Sequence, residues 1–479
     1  MTDTEIQDLI GAALAGRRPA DAAPLLDDWL SRHPGDADGW FNLGWCRRQL
    51  LQPDAAIAAY RSAIAAGLAE PEQAHVNIAA VKAEVLHDVA GARDSLKAAL
   101  ALQPRFVLAW QNLGQLEEDI GNAAAARAAY EQALRLVPGH GRATARIAGI
   151  DVFEGRAAEG LARAEAAAAH AGTTDDLVEL AFAAANALDA LGRYDEAFAQ
   201  ADDANQLQKR GSALAHRQAD VTAQMNAMMT LFPAEPLPSA GDAAAPIFIC
   251  GLFRSGSTLL EALLGRHSGV TMGGELAYTP WFMSQFGAHI NSATIPDAAA
   301  RFREGYSGFA RRVLGDTPCF TDKRMDNFLF LGFIKRAFPA AKIVHVLRDP
   351  IDNFLSMYFL PFADNLTYAN DFDDMIHYYR AYRQLMAHWQ ACFGDDIITV
   401  RYEDLVADPQ AVIAGLSQQL GIAAAPATPA AGDQIIRTAS VWQVRQPVHA
   451  RSRGRWHNYE AQIGEIAALL RAEYPEFSG

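Results

Sequence analysis

The sequence predicts an all-α N-terminal half followed by an α/β half with a central parallel sheet. Residues 1–210 are Ala-rich and repeat a helical pattern about every 35 residues. From residue 246 onward, short β-rich runs alternate with helices, which is typical of a parallel sheet, and the predicted strands are 246–250, 269–272, 318–321, 342–347 and 397–401. The segment between them is helical over 211–231 and rich in Pro, Gly and Ala over 232–245. We therefore expect three regions, namely repeats (1–210), a helix and linker (211–245) and an α/β domain (246–479).

Length and composition indicate an ordinary globular protein. A chain of 479 residues is long enough for two or more domains, and 51% hydrophobic with 20% charged residues is usual for soluble proteins. The net charge of −15 argues against general nucleic-acid binding. No uncharged apolar run approaches about 20 residues, so we expect no transmembrane helix.

The N-terminus and the cysteines predict a cytoplasmic protein. The first eight residues are acidic, unlike the basic start of a signal peptide. The cysteines lack metal-ligand spacing and look like small buried hydrophobic residues. They are Cys46, Cys250, Cys319 and Cys392.

The N-terminal repeats share a recognisable pattern. The motif W-x₂-L-G at Trp40–Gly44 recurs at Trp110–Gly114, seventy residues later, which is two periods of about 35. Prolines follow helical stretches at similar intervals, at Pro34, Pro71, Pro104 and Pro138. This W-x₂-L-G…A…Y…P pattern resembles tetratricopeptide repeats, in which helix pairs stack into a solenoid, and about six units are present.

The alanines and the repeat architecture leave the role of the solenoid open. Small residues at helix contacts let neighbouring helices approach closely. One interpretation is a groove that recruits a protein or peptide, and the other is a scaffold or a homodimer contact. Since every motif described below follows residue 246, we expect the repeats to take no part in chemistry.

Residues 246–258 have the outline of a phosphate-binding loop. Gly251, Gly256 and Thr258 keep the frame G-x-x-x-x-G-K-[ST], but Ser257 replaces the lysine that reaches the terminal phosphates of an NTP. Backbone N–H groups at the start of the next helix can still bind an anion. The loop therefore suits a nucleotide 5′-phosphate that is held and not hydrolysed.

This loop resembles the 5′-phosphosulfate loop of sulfotransferases that use 3′-phosphoadenosine 5′-phosphosulfate (PAPS), G-x-P-R-S-G-T-T-L. Phe253 and Ser257 stand where that family prefers proline and threonine. The resemblance implies PAPS as co-substrate and a catalytic as well as a binding role for Arg254. It also implies that PAPS is contacted by Arg254, Ser255, Gly256, Ser257 and Thr258.

A second motif follows the predicted strand 342–347. Asp349 suits a helix N-cap and Pro350 the first helical position, so Arg348 ends the strand and Ser356 lies on the next helix. Ligands of open α/β sheets bind outside the carboxyl ends of strands. Arg348 and Ser356 resemble the family's 3′-phosphate-binding pair.

A third motif supplies a cation. Residues 321–328 resemble the family's D-K-x-P-x-N-F element, with Met325 in place of proline. The resemblance implies that Lys323 stabilises the bridging oxygen between sulfur and phosphate, where negative charge accumulates as that bond breaks.

Glu275 is the candidate general base. It follows Gly273 and Gly274, and this half resembles tyrosylprotein sulfotransferases and their bacterial relatives, in which a glutamate at this position takes the acceptor proton. His345 and His267 are the competing bases. His345 falls in a buried strand, which favours a core residue.

The last motif is basic. Residues 434–459 contain five arginines and no Asp or Glu, as expected where an anionic ligand is held. They resemble the family's PAPS-covering loop, which implies that Ser440 donates to the leaving oxygen and Arg455 contacts the 3′-phosphate. Tyr402, in a Y-E-D-L match, is implied at the adenosine end of the donor.

Together these motifs predict a PAPS-dependent sulfotransferase with tetratricopeptide repeats and no metal. The leading acceptor is a protein or peptide tyrosine, and a saccharide or small-molecule hydroxyl is the alternative. Two other classes stay open, namely a nucleotide kinase or NTPase and a repeat adaptor with an inactive nucleotide-binding domain. An NTPase would need a lysine at Ser257.

Overall fold

The structure of this protein is a computed structural model that describes residues 2–212, 214–234, 245–362, 364–422 and 452–477. Contacts divide the chain into two compact units. The first is Met1–Val137 with Ala277–Ala288 and Phe309–Gly315, and the second is Pro138–Leu276, His289–Gly308 and Asp316–Gly479. This division rests on spatial contacts. The boundaries at 210 and 245 rest on sequence pattern and stay a prediction.

Residues 2–212 form helices in consecutive pairs, as the repeat pattern predicts. Prolines begin α2, α4 and α5, where a missing N–H costs nothing because the first helical N–H groups have no partner within the helix. The helices are α1 (Asp3–Ala15), α2 (Pro19–Arg32), α3 (Ala37–Gln49), α4 (Pro53–Ala65), α5 (Pro71–Ala80), α6 (Val89–Leu102), α7 (Val107–Asp119), α8 (Ala123–Leu136), α9 (Gly141–Phe153), α10 (Ala157–Ala168), α11 (Thr174–Ala190) and α12 (Tyr194–Gly211).

The glycines of the repeated motif pack against tyrosines of the following helix. A Cβ on Gly44 would lie 2.7 Å from the Tyr60 ring, and one on Gly114 would lie 2.5 Å from the Tyr130 ring. Both tyrosines are buried. A larger residue at either glycine would push the two helices of its pair apart, so these positions keep the helices in close contact.

Two segments from the second half of the sequence belong to the first unit. Trp281 Nε1 donates to the Gln49 carbonyl at 3.1 Å, and Arg312 pairs with Asp54 at 2.5 Å. The Arg312–Asp54 pair is exposed and contributes little stability by itself. The first unit is therefore not made of repeats alone.

The second unit contains a four-stranded parallel sheet in the order β2-β1-β3-β4. The strands are β1 (Ile247–Gly251), β2 (Thr321–Lys323), β3 (Lys342–Leu347) and β4 (Ile397–Arg401). The prediction of a parallel sheet is confirmed. The prediction of a strand at 269–272 is wrong, because left-handed glycines at 269 and 274 bound the segment and leave a single bridge, Thr271 to Phe320.

Helices flank this sheet and bury its apolar faces. Ile249, Val344 and Val346 of the central strands pack with Leu260 and Leu264 in one buried cluster. The helices that follow residue 212 are α13 (Gln218–Leu231), α14 (Ser257–Ser268), α15 (Tyr278–Phe286), α16 (Ile295–Leu314), α17 (Leu331–Ala337), α18 (Pro350–Tyr358), α19 (Phe372–Phe393), α20 (Tyr402–Ala407), α21 (Pro409–Gln419) and α22 (Glu460–Glu473). Of these, α15 and residues 309–314 of α16 belong to the first unit.

The last helix pair, α11 and α12, contacts the C-terminal end of α18. The buried Asn205 side chain donates to the Tyr358 carbonyl at 2.8 Å, and Asn186 donates to the Phe359 carbonyl at 2.9 Å. The last carbonyls of a helix have no partner within it, so these amides satisfy groups that burial would otherwise leave unpaired. The pair therefore fixes the helix that carries Ser356.

Two further predictions concern the cysteines and transmembrane helices. Cys46, Cys250 and Cys392 are buried and Cys319 is partly buried, all as free thiols. Within the described ranges, no helix has both the length and the apolar character that crossing a bilayer requires.

Candidate functional site

Three of the predicted site residues lie at or just after the carboxyl ends of β1, β2 and β3, namely Arg254, Lys323 and Arg348. The strand order reverses between β1 and β3, because β1 continues to β2 on one side and β3 to β4 on the other. Loops that follow strands on either side of such a point diverge and leave a crevice between them. The loop after β1 and the turn after β3 meet here.

The loop after β1 depends on its second glycine. Gly256 has φ +97°, and a Cβ there would lie 2.3 Å from the Tyr402 ring. The helix α14 begins at Ser257, directly after it, and Thr258 lies in the first turn. The N–H groups of that first turn are therefore presented at the loop, as an anion site requires.

Arg254 is held in a strained conformation inside this loop. Its φ is +69°, a region that costs a non-glycine residue about 1–2 kcal/mol. Its Nε donates to Ser356 Oγ on α18 at 3.1 Å. Burial and the neighbouring Arg348 guanidinium lower the pKa of Arg254 to about 9. Strain and a like-charged neighbour at one position are expected where an anionic ligand binds.

Arg348 is buried beside the same loop. Its Nη1 donates to the Arg254 carbonyl at 2.8 Å, and its Nη2 donates to the Ser452 carbonyl at 2.7 Å. Its guanidinium lies 4.6 Å from the centre of the Tyr402 ring. Among the described residues, its buried Nε has no hydrogen-bond partner. A buried, unpaired donor in a cluster of cations fits a site for phosphate groups.

The local structure around Arg348 agrees with the prediction. Asp349 caps α18 by accepting from the Ile351 and Asp352 N–H groups, and Pro350 is the first helical residue. Asp349 also pairs with Arg471 at 2.5 Å. The cap ends β3 at Leu347, so Arg348 stands between strand and helix.

Glu275 and Lys323, predicted from separate motifs, are in contact. Lys323 Nζ donates to Glu275 Oε1 at 2.6 Å, across 48 residues of sequence. The Lys323 side chain is 3% exposed and that of Glu275 is 35% exposed. The cation is therefore shielded from water, while the carboxylate can be reached by a second molecule.

Sequence reasoning missed Glu261, which holds the turn before Glu275. This buried carboxylate accepts from the Gly274 N–H at 3.0 Å and from Thr321 Oγ1 at 2.5 Å. Burial raises its pKa. It lies on α14, one turn after the phosphate loop, and so connects that loop to the turn carrying Glu275. A charge in the apolar run 259–264 is the signal that could have identified it.

Two residues on α18 were also missed. Asn353 Nδ2 donates to the Phe253 carbonyl at 2.9 Å and so supports the phosphate loop. Asp352 accepts from the Gly454 N–H at 2.5 Å and the Trp456 N–H at 3.0 Å. Burial raises the pKa of Asp352. Together with Ser356, these residues make α18 the element that joins the phosphate loop to residues 452–459, called the C-terminal segment below.

Arg455 lies in that C-terminal segment, and its guanidinium pairs with Asp189 of α11. Nε and Nη2 are 3.2 and 3.1 Å from Asp189 Oδ1. The guanidinium also lies 4.6 Å from the centre of the Phe359 ring. The sequence motifs of the site all follow residue 246 and did not predict this contact with a repeat helix.

The remaining candidates are placed as follows. Ser255 and Ser257 are buried, and their hydroxyls lie 4.0 and 3.0 Å from Met325 Sδ. Ser440 lies outside the described residues. Among the described residues, no cluster of His, Cys, Asp or Glu side chains could hold a metal ion.

Of the two competing bases, the structure describes the side chain of His345 but not that of His267. His345 is buried, its Nε2 bonds to the Tyr382 hydroxyl, and burial lowers its pKa to about 3. This agrees with a core residue. The side chain of His267 is outside what the structure describes.

Comparison with known proteins gives two family matches. Residues 246–426 match the sulfotransferase family, and residues 8–71 and 82–141 match the tetratricopeptide repeat. An uncharacterized protein of Aquifex aeolicus is 28% identical over 244 residues, covering 47% of this chain and 32% of that protein. A Caenorhabditis briggsae protein named "Putative protein-tyrosine sulfotransferase" is 31% identical over 111 residues, covering 22% of this chain and 39% of that protein. The chain thus spans less than half the length of the curated relatives it matches.

Solved structures also share some likeness with parts of this chain. A tetratricopeptide repeat protein from Parabacteroides merdae is 16% identical with a TM-score of 0.37, covering 48% of this chain and 87% of that one. MamA is 18% identical with a TM-score of 0.30, covering 39% of this chain and 97% of that one. The helix pairs and the two family matches show that this chain joins tetratricopeptide repeats to a domain of the sulfotransferase family.

Proposed function

We propose that the protein transfers a sulfuryl group from PAPS to a hydroxyl group of an acceptor. The family match at 246–426 supports sulfuryl transfer in general. The observation that carries the proposal is the 2.6 Å contact between Lys323 Nζ and Glu275 Oε1. It brings a buried cation and an accessible carboxylate together at the end of β2, the strand next to the phosphate loop. In-line transfer requires both groups near one sulfur atom.

Glu275 is the general base in this proposal. Its partly exposed carboxylate accepts the proton of the acceptor hydroxyl as that oxygen forms a bond to sulfur. The bond between sulfur and the bridging phosphate oxygen breaks in the same step, and the electron pair stays on the oxygen. The products are a sulfated acceptor and 3′-phosphoadenosine 5′-phosphate.

Lys323 stabilises the oxygen that leaves. An ammonium has three N–H donors, so Lys323 can donate to the bridging oxygen while it also contacts Glu275. In a water-excluded position this charge is worth more than in solvent. The N–H groups at the start of α14 act on the same phosphate, and we propose Ser440 as a further donor.

Donor recognition rests on the cationic cluster. Arg254 lies in the loop that binds the 5′-phosphosulfate, and Arg348, Ser356 and Arg455 bind the 3′-phosphate. Support comes from the buried Nε of Arg348, which has no hydrogen-bond partner in the part of the chain that the structure describes, and from the lowered pKa of Arg254. A bound polyanion would relieve both. Tyr402 supports Arg348 through its ring, and its role at the adenosine end is part of the proposal.

The acceptor we favour is a tyrosine in a protein or peptide. The name of the Caenorhabditis briggsae relative supports this choice, and tetratricopeptide repeats have the capacity to bind proteins. A saccharide or small-molecule hydroxyl is the second candidate, because a base and a cation arranged in this way serve any hydroxyl.

Two other functions are disfavoured by single observations. Ser257 faces Met325 at 3.0 Å where an NTPase has its lysine. An adaptor with an inactive domain has no need of a buried lysine that contacts a carboxylate at 2.6 Å, since burying a charge is costly.

Donor selectivity tests the proposed 3′-phosphate site. PAPS should bind at least about tenfold more tightly than adenosine 5′-phosphosulfate, since charged hydrogen bonds contribute roughly 1.5–3 kcal/mol each. Isothermal calorimetry on the full-length protein measures both affinities. Ser356→Ala should reduce the difference in affinity between PAPS and adenosine 5′-phosphosulfate. Ser307→Ala, which changes an exposed serine of α16, should leave that difference unchanged.

Two outcomes would contradict this assignment. Equal affinity of the wild-type protein for the two nucleotides would remove the 3′-phosphate from the site. Tighter binding of ATP with Mg²⁺ than of PAPS would favour a kinase or NTPase.

Transfer of label identifies the acceptor class. With radiolabelled PAPS and cell extract, we expect label on tyrosine of a protein fraction, detected after fractionation and hydrolysis. The matched control is Lys323→Ala, which should reduce the label by roughly a hundredfold or more. Label on a saccharide or small molecule would establish the second candidate. Wild-type label no higher than that of the control would favour an inactive adaptor.

A further inference from the structure

A carboxylate on the last repeat helix pair holds an arginine of the proposed donor site. Asp189 is the next-to-last residue of α11, and its Oδ1 lies 3.2 Å from Nε and 3.1 Å from Nη2 of Arg455. Both residues belong to the second compact unit. The pair is largely buried, with side-chain exposures of 21% for Arg455 and 24% for Asp189. It is therefore less screened by water than the exposed ion pairs elsewhere in the chain.

The position of Asp189 on its helix is unfavourable by itself. The C-terminal end of a helix carries partial negative charge, so a carboxylate there is destabilising unless it is compensated. Two partners compensate it, because the buried Tyr459 hydroxyl also donates to Asp189 Oδ1. Asp189 thus connects two side chains of the C-terminal segment to the repeat.

The backbone of the same segment is fixed from the other side. Arg348 donates to the Ser452 carbonyl, and Asp352 accepts from the Gly454 and Trp456 N–H groups. The main chain on both sides of Arg455 is therefore set by residues next to the phosphate loop. The orientation of the Arg455 side chain is then determined by its contacts with Asp189 and the Phe359 ring.

Arg455 lies within electrostatic reach of Arg254 in the phosphate loop. Its positive charge contributes to the lowered pKa of Arg254, after burial and Arg348. A guanidinium has five N–H donors, and the contact with Asp189 uses the Nε and Nη2 edge. Donors remain on Arg455 for a second anion.

We propose that Asp189 is a positioning residue for the donor site, which makes the last repeat part of donor recognition. By fixing one edge of Arg455, Asp189 orients the remaining donors toward the 3′-phosphate. A long side chain that is already ordered loses less conformational freedom when its ligand binds. This inference depends on the proposed function, because it assumes that Arg455 contacts the 3′-phosphate.

The test compares carboxylates of the same repeat in the full-length protein. Asp189→Ala and Asp189→Asn are compared with Asp195→Ala, which removes a carboxylate that contacts Gln462 at 2.6 Å but not Arg455. Calorimetry measures the affinity of each protein for 3′-phosphoadenosine 5′-phosphate and for adenosine 5′-phosphate. Thermal unfolding checks that each variant is folded, and Asp189→Asn supplies the measurement if the alanine variant is not.

We expect a selective effect. Both Asp189 variants should bind 3′-phosphoadenosine 5′-phosphate about five- to tenfold more weakly, with the affinity for adenosine 5′-phosphate changed less than about twofold. Asp195→Ala should change neither affinity. In an Arg455→Ala background, Asp189→Asn should have no further effect, because it acts through Arg455.

Three results would overturn the inference. Unchanged binding would leave Asp189 with a structural role only. Tighter binding would mean that Asp189 withholds Arg455 from the ligand. An equal loss for both nucleotides would indicate general disruption of the fold. If the wild-type protein does not distinguish the two nucleotides, the proposed function itself fails, and that result is separate from the three.

Discussion

Replacing Glu275 with glutamine is expected to lower turnover by roughly 10²–10⁴ while donor binding stays intact. This is the usual contribution of a general base, and an amide cannot take the acceptor proton. The glutamine Oε1 can still accept from Lys323 Nζ, so the 2.6 Å contact and the position of the lysine should persist. Steady-state kinetics with saturating donor measures turnover, and calorimetry with 3′-phosphoadenosine 5′-phosphate measures binding.

The controls separate base catalysis from a general loss of charge. Glu304→Gln changes an exposed carboxylate of α16 and should leave turnover unchanged. Glu275→Ala should have a lower free energy of unfolding than the glutamine variant, because it leaves the buried Lys323 without its partner. Near-normal turnover of Glu275→Gln would exclude Glu275 as the base. His345 would be a poor replacement, because it is buried and bonded to Tyr382.

The parts of the site that sequence could predict are local. Arg254 follows a strand within one short loop, and Arg348 with its Asp349 cap follows another. Such strand-to-helix turns leave motifs of fewer than about ten residues, so residue type and spacing are enough to identify them. The Glu275–Lys323 contact joins two further short motifs, one at the end of β2 and the other in the turn that follows Gly274.

The parts that sequence could not predict depend on packing between distant segments. Asp189 and Arg455 are 266 residues apart, and nothing near Asp189 distinguishes it from other acidic residues of the repeats. Glu261 contacts Thr321 across 60 residues. The false strand at 269–272 has a similar cause, since its β-rich residues were visible but the turns at Gly269 and Gly274 that isolate it were not.

Gly256→Ala is expected to abolish productive donor binding, with turnover reduced by roughly a hundredfold or more. The new Cβ would lie 2.3 Å from the Tyr402 ring, and that ring stacks on Arg348 at 4.6 Å. Either the loop or the ring must move by about 1 Å, and a displacement of that size in a catalytic site can cost roughly a hundredfold. The left-handed φ of +97° adds a backbone penalty of about 1–2 kcal/mol.

Gly269→Ala is the matched control for this substitution. Gly269 also has a left-handed φ, +65°, but a Cβ there would meet nothing within 4 Å. It should therefore lose about 1–2 kcal/mol of unfolding free energy and keep its donor affinity. Calorimetry and thermal unfolding of both variants separate the backbone penalty, which they share, from the clash with Tyr402, which only Gly256→Ala has. If the two variants bind 3′-phosphoadenosine 5′-phosphate equally well, contact between Gly256 and Tyr402 does not shape the donor site.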